Sequence, residues 1–290
     1  MIRIVGTIFA GLLGLAFGSF LNVCLSRWPE GESIVHPRSH CRGCGRTLAW
    51  WENVPVVSWL ALRGRCRTCK ASISLRYPLV ELAVGVLWAI VAWNALSLIL
   101  LSNEPSLKLL LMDALSKMVF YWLLIALAAL DAELLWLPNF ITLPGIGLGL
   151  ILTTIVAPVD DSWWVQRLSR KAAVIDELMA IIVAACVILV TRWIYWLIRR
   201  REGVGLGDAK LMAMLAAWLG LPDALLSFAI GVVLGAIAAL VLLLLPSTRK
   251  NNENWAHTKL PLGTILCIGG IVSSLWGEPM IRAYLHWAGF

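Results

Sequence analysis

At 290 residues, 60% of them hydrophobic and 14% charged, with a mean hydropathy of +0.83, the chain lies far from the balance of a water-soluble domain. Soluble enzymes and soluble binding modules are therefore excluded as classes. The formal net charge of +7 would raise nucleic-acid binding in a soluble protein; here the extra Lys and Arg set orientation across a bilayer and meet anionic headgroups, so membrane lipids are expected as partners and no nucleic acid is. Sixteen Trp residues suit the water–lipid boundary, where an indole buries its body and keeps its N–H wet.

A membrane-crossing helix takes about 20 mostly apolar residues, and about eight segments meet or approach that length. The first covers 4–26. Its apolar run, Ile4 to Leu25, is too long for a signal-peptide core and has no small-residue cleavage site, so 1–26 is expected as a retained first helix. Residues 27–77 form the one long polar segment, with nine basic against three acidic residues. By the positive-inside rule this segment is expected on the cytoplasmic side and the N-terminus on the outer side.

Further helices are expected at 78–101, 113–131, 140–157, 178–198, 209–221, 224–245 and 261–277, making 78–290 a membrane bundle. Alternation then puts Arg199, Arg200 and Arg201, and likewise Arg249, Lys250 and Lys259, inside, as the rule requires. The outer loop at 158–177 is an exception, since Arg167, Arg170 and Lys171 stand there beside Asp160, Asp161, Asp176 and Glu177. Gly11, Gly14 and Gly18 in the first helix and Gly231 and Gly235 in the seventh read as small-residue packing faces. The fold class is thus an all-α polytopic membrane protein with a small polar insert.

Four of the seven cysteines form two close pairs in that insert, Cys41-x-x-Cys44 and Cys66-x-x-Cys69, 21 residues apart. An odd total and paired spacing argue for a metal in a reducing compartment. Four thiolates at about 2.3 Å close a structural zinc site with no open coordination position. Binding energy then serves as folding energy for a loop too polar to build a core. Arg42, Arg46, Arg65 and Arg67 flank the pairs, and His36 and His40 are spare ligands that a four-cysteine site does not need. Redox or unpaired thiols are the plainer alternative. Cys24, Cys186 and Cys267, in apolar helices, read as packing residues.

Asp131 ends the third predicted helix and Asp208 precedes the sixth, which alternation places at the same membrane boundary. A carboxylate at the edge of lipid faces a partner or a wet cavity and is a functional candidate by default. Two of them brought close can share one proton, so that one activates water while the other hydrogen-bonds a scissile carbonyl, and a peptide bond is hydrolysed without a covalent intermediate. Topology alone does not select the pair, because Glu81, Glu133 and Glu202 fall near the same boundary and interfacial salt bridges are ordinary there. Asp208 lies in Gly203-Val-Gly205-Leu-Gly207-Asp208, where glycines let an extended backbone come close; the plain alternative is a turn with Asp208 as helix N-cap.

Six segments carry a resemblance: FGSFLNVCLSRWP at 17–29, the two Cys pairs, SLRYPLVELAVG at 74–85, ALDAELLWLPNFITLPGIGLGL at 129–150, GVGLGDAKLMAMLAAWLG at 203–220 and KLPLG at 259–263. In this order they resemble the type IV prepilin peptidase family, the bacterial branch of the GxGD membrane aspartic proteases. The resemblance implies that Asp131 and Asp208 are catalytic and that the protein sits in the bacterial inner membrane. It further implies that the leader of a type IV prepilin or type II secretion pseudopilin is cut after a glycine at the cytoplasmic face, and that the new N-terminus is then methylated from S-adenosylmethionine. The segments around Gly18, Asn22 and Tyr77 to Glu81 resemble family stretches tied to the cytoplasmic domain and to methylation. Two departures stand out: Asn139 where the pattern has Asp, and Pro261-Leu-Gly263-Thr264 where it has Pro-Phe-Gly-Pro. Neither falls on an Asp position. The rival readings are a proton- or cation-coupled transporter using Asp131 and Asp208 at a broken helix, and a noncatalytic assembly protein that docks partners through the zinc loop.

Overall fold

The structure, a computed structural model, describes residues 1–101, 107–156, 163–200, 205–244 and 261–289. Arg201, Glu202, Gly203, Asp160, Asp161, Arg249, Lys250 and Lys259 lie outside the described residues. Among those described there is no strand, only helix: α1 (Ile2–Arg27), α2 (Val57–Ala61), α3 (Arg76–Leu101), α4 (Leu107–Leu134), α5 (Asn139–Val156), α6 (Trp163–Arg199), α7 (Leu206–Leu244) and α8 (Leu262–Ala288). Six are long and apolar enough to cross a membrane, and Asn139–Ile155 is a shorter apolar helix. This is a multi-pass membrane fold, and the all-α expectation holds.

Two expected boundaries move. Helix α6 starts at Trp163, so most of the stretch expected as a loop at 158–177 is helical; no Gly or Pro occurs from 163 to 199 to stop it, and the charged residues there do not break a helix. The helices expected at 209–221 and 224–245 are joined within α7 by a single residue. Gly220 has φ 78° and ψ 171°, backbone that only glycine adopts readily, and Pro222 follows where a new helix needs no amide donor.

The chain reverses at that point. Before it, Lys210 Nζ donates to Asn139 Oδ1 (2.6 Å) and Trp218 Nε1 to the Gly145 carbonyl (2.8 Å), so the first leg of α7 runs parallel to α5. After it, Ser273 Oγ donates to the Asp223 carbonyl (2.9 Å), and a Cβ on Gly231 would lie 3.2 Å from Leu266. The second leg therefore runs antiparallel to α8 and comes back toward the end from which α7 set out.

The chain divides into two compact units, 1–126 and 127–290. In the first, α1 and α3 meet through their glycines: a Cβ on Gly14 would come within 2.8 Å of Gly85 Cα, and one on Gly18 within 2.7 Å of Glu81 Cα. Larger side chains would force the helices apart, as the small-residue pattern predicts. Trp88 Nε1 donates to the Met118 carbonyl (3.0 Å) and Trp122 Nε1 to that of Phe17 (3.2 Å), which ties the first part of α4 to this pair. The insert is pinned near its start and at its middle. Buried Arg27 donates to the carbonyls of Ser33 (2.6 Å) and Pro37 (2.5 Å), and Glu81 Oε2 accepts the Val56 amide at 2.7 Å. Val56 has φ 61°, costly for a β-branched residue, and the buried carboxylate holds it there.

Candidate functional site

Two clusters of chemistry-bearing side chains form, one in each unit. In the insert, the sulfurs of Cys41, Cys44, Cys66 and Cys69 lie within 4.8 Å of one another, and neither His36 nor His40 joins them. Each pair is built by the same backbone turn. The Cys41 amide donates to the Arg46 carbonyl and the Gly45 amide to that of Cys41; in register, the Cys66 amide donates to the Ala71 carbonyl and the Lys70 amide to that of Cys66. Gly45 (φ 71°) and Lys70 (φ 59°) take the left-handed corner after each second cysteine, and bridges His40–Thr47 and Arg65–Ser72 close the turns.

The donor set fits a tetrahedral ion. Bonds of about 2.3 Å put sulfurs about 3.8 Å apart, and Cys41 Sγ stands 3.7 Å from Cys69 Sγ. Amides of Cys69 and Thr68 donate to Cys66 and pull its thiol down to about 6, so that a thiolate is at hand near neutral pH. Of the flanking arginines, Arg46 is bound at 2.7 Å to the buried Glu52 carboxylate, whose other oxygen accepts the Ala49 amide at 2.9 Å. The Arg46 guanidinium holds the Glu52 carboxyl below the usual range. Among the remaining cysteines, Cys24 and Cys267 are buried as expected of packing residues, whereas Cys186 is exposed among the described residues.

The second cluster lies where α4 ends and α7 and α8 begin. Asp131 is buried one turn before the end of α4, which stops at Leu135 (φ 51°) with that residue's amide still bound to the Asp131 carbonyl. Its side chain reaches the first turn of α8, where Oδ2 accepts the Thr264 amide (2.6 Å) and the Thr264 hydroxyl (3.1 Å). First-turn amides have no partner in their own helix, and a carboxylate there also meets the positive end of the helix dipole. Gly263 makes room, since a Cβ would come within 2.9 Å of Asp131 Cγ.

Asp208 is built in the same way on α7. It is buried, and it is the third residue of the helix and not its N-cap; its Oδ2 reaches back to the amide of Gly205 at 3.0 Å, half of a capping box. The glycine beside Asp208 and the one before Thr264 share a neighbour. Cβ atoms on Gly207 and Gly263 would each lie 3.0 Å from Leu137, in the connection between α4 and α5. Cys267, one turn along α8 from Thr264, is buried. Oδ2 of each carboxylate accepts an amide at the start of a helix.

Sequence reasoning found both aspartates and missed what holds them. Thr264 and Asn139 were noted as departures that fall on neither Asp position, yet Thr264 bonds Asp131 directly and Asn139 holds Lys210, two residues from Asp208. Of the other acidic residues at the expected boundary, Glu81 belongs to the first unit, where it holds Val56, and Glu133 is exposed.

Such a fold defines a polytopic helical membrane protein with a four-cysteine cluster in its polar insert and two buried aspartates at helix ends. Residues 12–95 match the Bacterial Peptidase A24 N-terminal domain and residues 118–240 the Type IV leader peptidase family. The chain is 34% identical to the prepilin leader peptidase/N-methyltransferase of Stutzerimonas stutzeri over 302 residues, 96% of this chain and 93% of the relative. The figures are the same for the protein of that name in Pseudomonas aeruginosa, and a Burkholderia pseudomallei relative is 35% identical over 93% of this chain and 85% of its own. No solved structure matches. The chain belongs to the type IV leader peptidase family.

Proposed function

We propose that this protein is a membrane aspartic endopeptidase and N-methyltransferase. It cleaves the leader of a type IV prepilin or a type II secretion pseudopilin at the cytoplasmic face of the bacterial inner membrane, then methylates the new N-terminus with S-adenosylmethionine as donor. Residues 1–26 are the first membrane helix, with its N-terminus in the periplasm, 27–77 a zinc-ordered cytoplasmic loop, and 78–290 the peptidase bundle. The observation that carries this reading is Asp131 and Asp208, both buried, each with Oδ2 held by an amide at the start of a helix, with Gly207 and Gly263 packed on the same residue, Leu137.

Held in this way, one aspartate takes a proton from water while the other hydrogen-bonds the scissile carbonyl. A substrate helix hides its carbonyls in internal hydrogen bonds, so an extended segment at the membrane boundary is the cheaper target. Zinc in the cysteine cluster would have a structural role, since four thiolates leave no position for water or substrate. The family match gives the transporter reading no support. Incubating the purified full chain with a prepilin tests the proposal: wild-type protein should release the leader and leave a mature product one methyl group heavier by mass spectrometry, and Asp208→Asn should release nothing while keeping its metal. Leader release by the Asn variant would sink the assignment.

A further inference from the structure

The two carboxylates are not supported alike, and the difference lies in α8. Asp208 receives one amide, from Gly205 at its own helix terminus. Asp131 receives the Thr264 amide at 2.6 Å and, on the same oxygen, the Thr264 hydroxyl at 3.1 Å. That hydroxyl also lies 2.9 Å from the Ala128 carbonyl, one turn before Asp131 on α4. A threonine hydroxyl carries a single proton that rotates between acceptors. With Asp131 ionised, the charged Oδ2 is the stronger acceptor and draws it. With Asp131 neutral, the proton turns to Ala128, and neither state strands a buried polar group. Asp208 has no such adjustable donor among the described residues.

Hydrogen bonds donated to a carboxylate favour its charged form, so the aspartate that receives the Thr264 hydroxyl as well as an amide is the one that enters the reaction ionised. We propose that Thr264 is the positioning residue that makes Asp131 the member of the pair that takes water's proton and later gives it up, with Asp208 entering the reaction protonated. The inference rests on the aspartic-peptidase reading above. In the first step a water proton passes to Asp131, the water oxygen bonds to the scissile carbon, and the Asp208 proton moves to the carbonyl oxygen, forming a gem-diol. In the second, the C–N bond breaks as the Asp131 proton passes to the departing nitrogen. One diol proton returns to Asp208, leaving acid and amine. The atoms of substrate and one water are conserved, and both carboxyl groups end as they began.

Proline, which the resembled pattern has at this position, carries neither an amide hydrogen nor a hydroxyl. Both donors therefore distinguish this chain from that pattern. The test compares Thr264→Val, which keeps the amide and the side-chain shape but loses the hydroxyl, with Thr264→Ser, which keeps the hydroxyl. Each is purified as the full chain and assayed on a prepilin at varied concentration. A hydrogen bond to a charged group corresponds to roughly a 10- to 100-fold change in rate. Thr264→Val should lose that in kcat with KM unchanged, because the hydroxyl touches Asp131 and not the substrate, and Thr264→Ser should restore the rate.

A wild-type kcat in the Val variant, a change confined to KM, or a Ser variant as slow as Val would overturn the assignment. Asp131→Asn, assayed beside them, separates the two levels of inference. If it is inactive while Thr264→Val is not impaired, only the role of Thr264 fails; if it still cleaves, the aspartic-peptidase reading fails as well.

Discussion

The cysteine insert and the aspartate pair are both small polar clusters, yet they are put together on different scales. The insert's ligands come from two turns of the same design, each closed by hydrogen bonds between residues four or five apart, so its chemistry is written in local spacing. The aspartate pair draws on three helices, and its shortest hydrogen bond joins residues 133 positions apart. A locally closed site takes its geometry from short-range backbone hydrogen bonds. A site assembled from distant helices owes its order to the register of their packing.

The contrast is broken most severely by removing metal. Chelation, or Cys66→Ser, should release the ion and with it a folding contribution of about 10–16 kcal/mol, typical of four-ligand zinc modules. Protease should then cut within 27–77 of the full-length protein while the helices stay protected, and an insert still resistant after metal loss would show that it folds by other means. Next come the carboxylates themselves: Asp131→Asn or Asp208→Asn should take cleavage below detection, a loss of at least about a thousandfold, with metal content unchanged. Gly220→Ala probes the register more gently. A Cβ at φ 78°, ψ 171° should cost about 1–3 kcal/mol, read as a lower unfolding midpoint in detergent with metal still bound.

The smallest effect belongs to Glu52. Its carboxyl is held below the usual range by Arg46, so the stability it contributes is present above the unfolded-state pKa and is lost as pH falls through the lower folded-state value. Acid titration followed by limited proteolysis should show this step in wild-type insert and not in Glu52→Gln.

What the sequence disclosed follows the same division. The four-cysteine cluster was legible outright because two residues between cysteines are enough to build each turn. Both aspartates were legible through the segments around them, as was the end of the sixth predicted helix at the Gly220-Leu-Pro222 stretch. Thr264 was not. Nothing local says that the first turn of α8 faces the last of α4, since that register is set by which side chains of two separate helices interlock. The early start of α6 has another reason: apolar length marks only the part of a helix that suits the bilayer, and a run without Gly or Pro can continue as helix beyond it.

The turn at Gly220 has a bearing on how this protein would look from its far side. One glycine and a nearby proline reverse the chain between two apolar legs, with no connecting segment to speak of. A protease or a bulky label approaching that tip would find almost no backbone to grip, and accessibility mapping would score the hairpin as one continuous protected stretch.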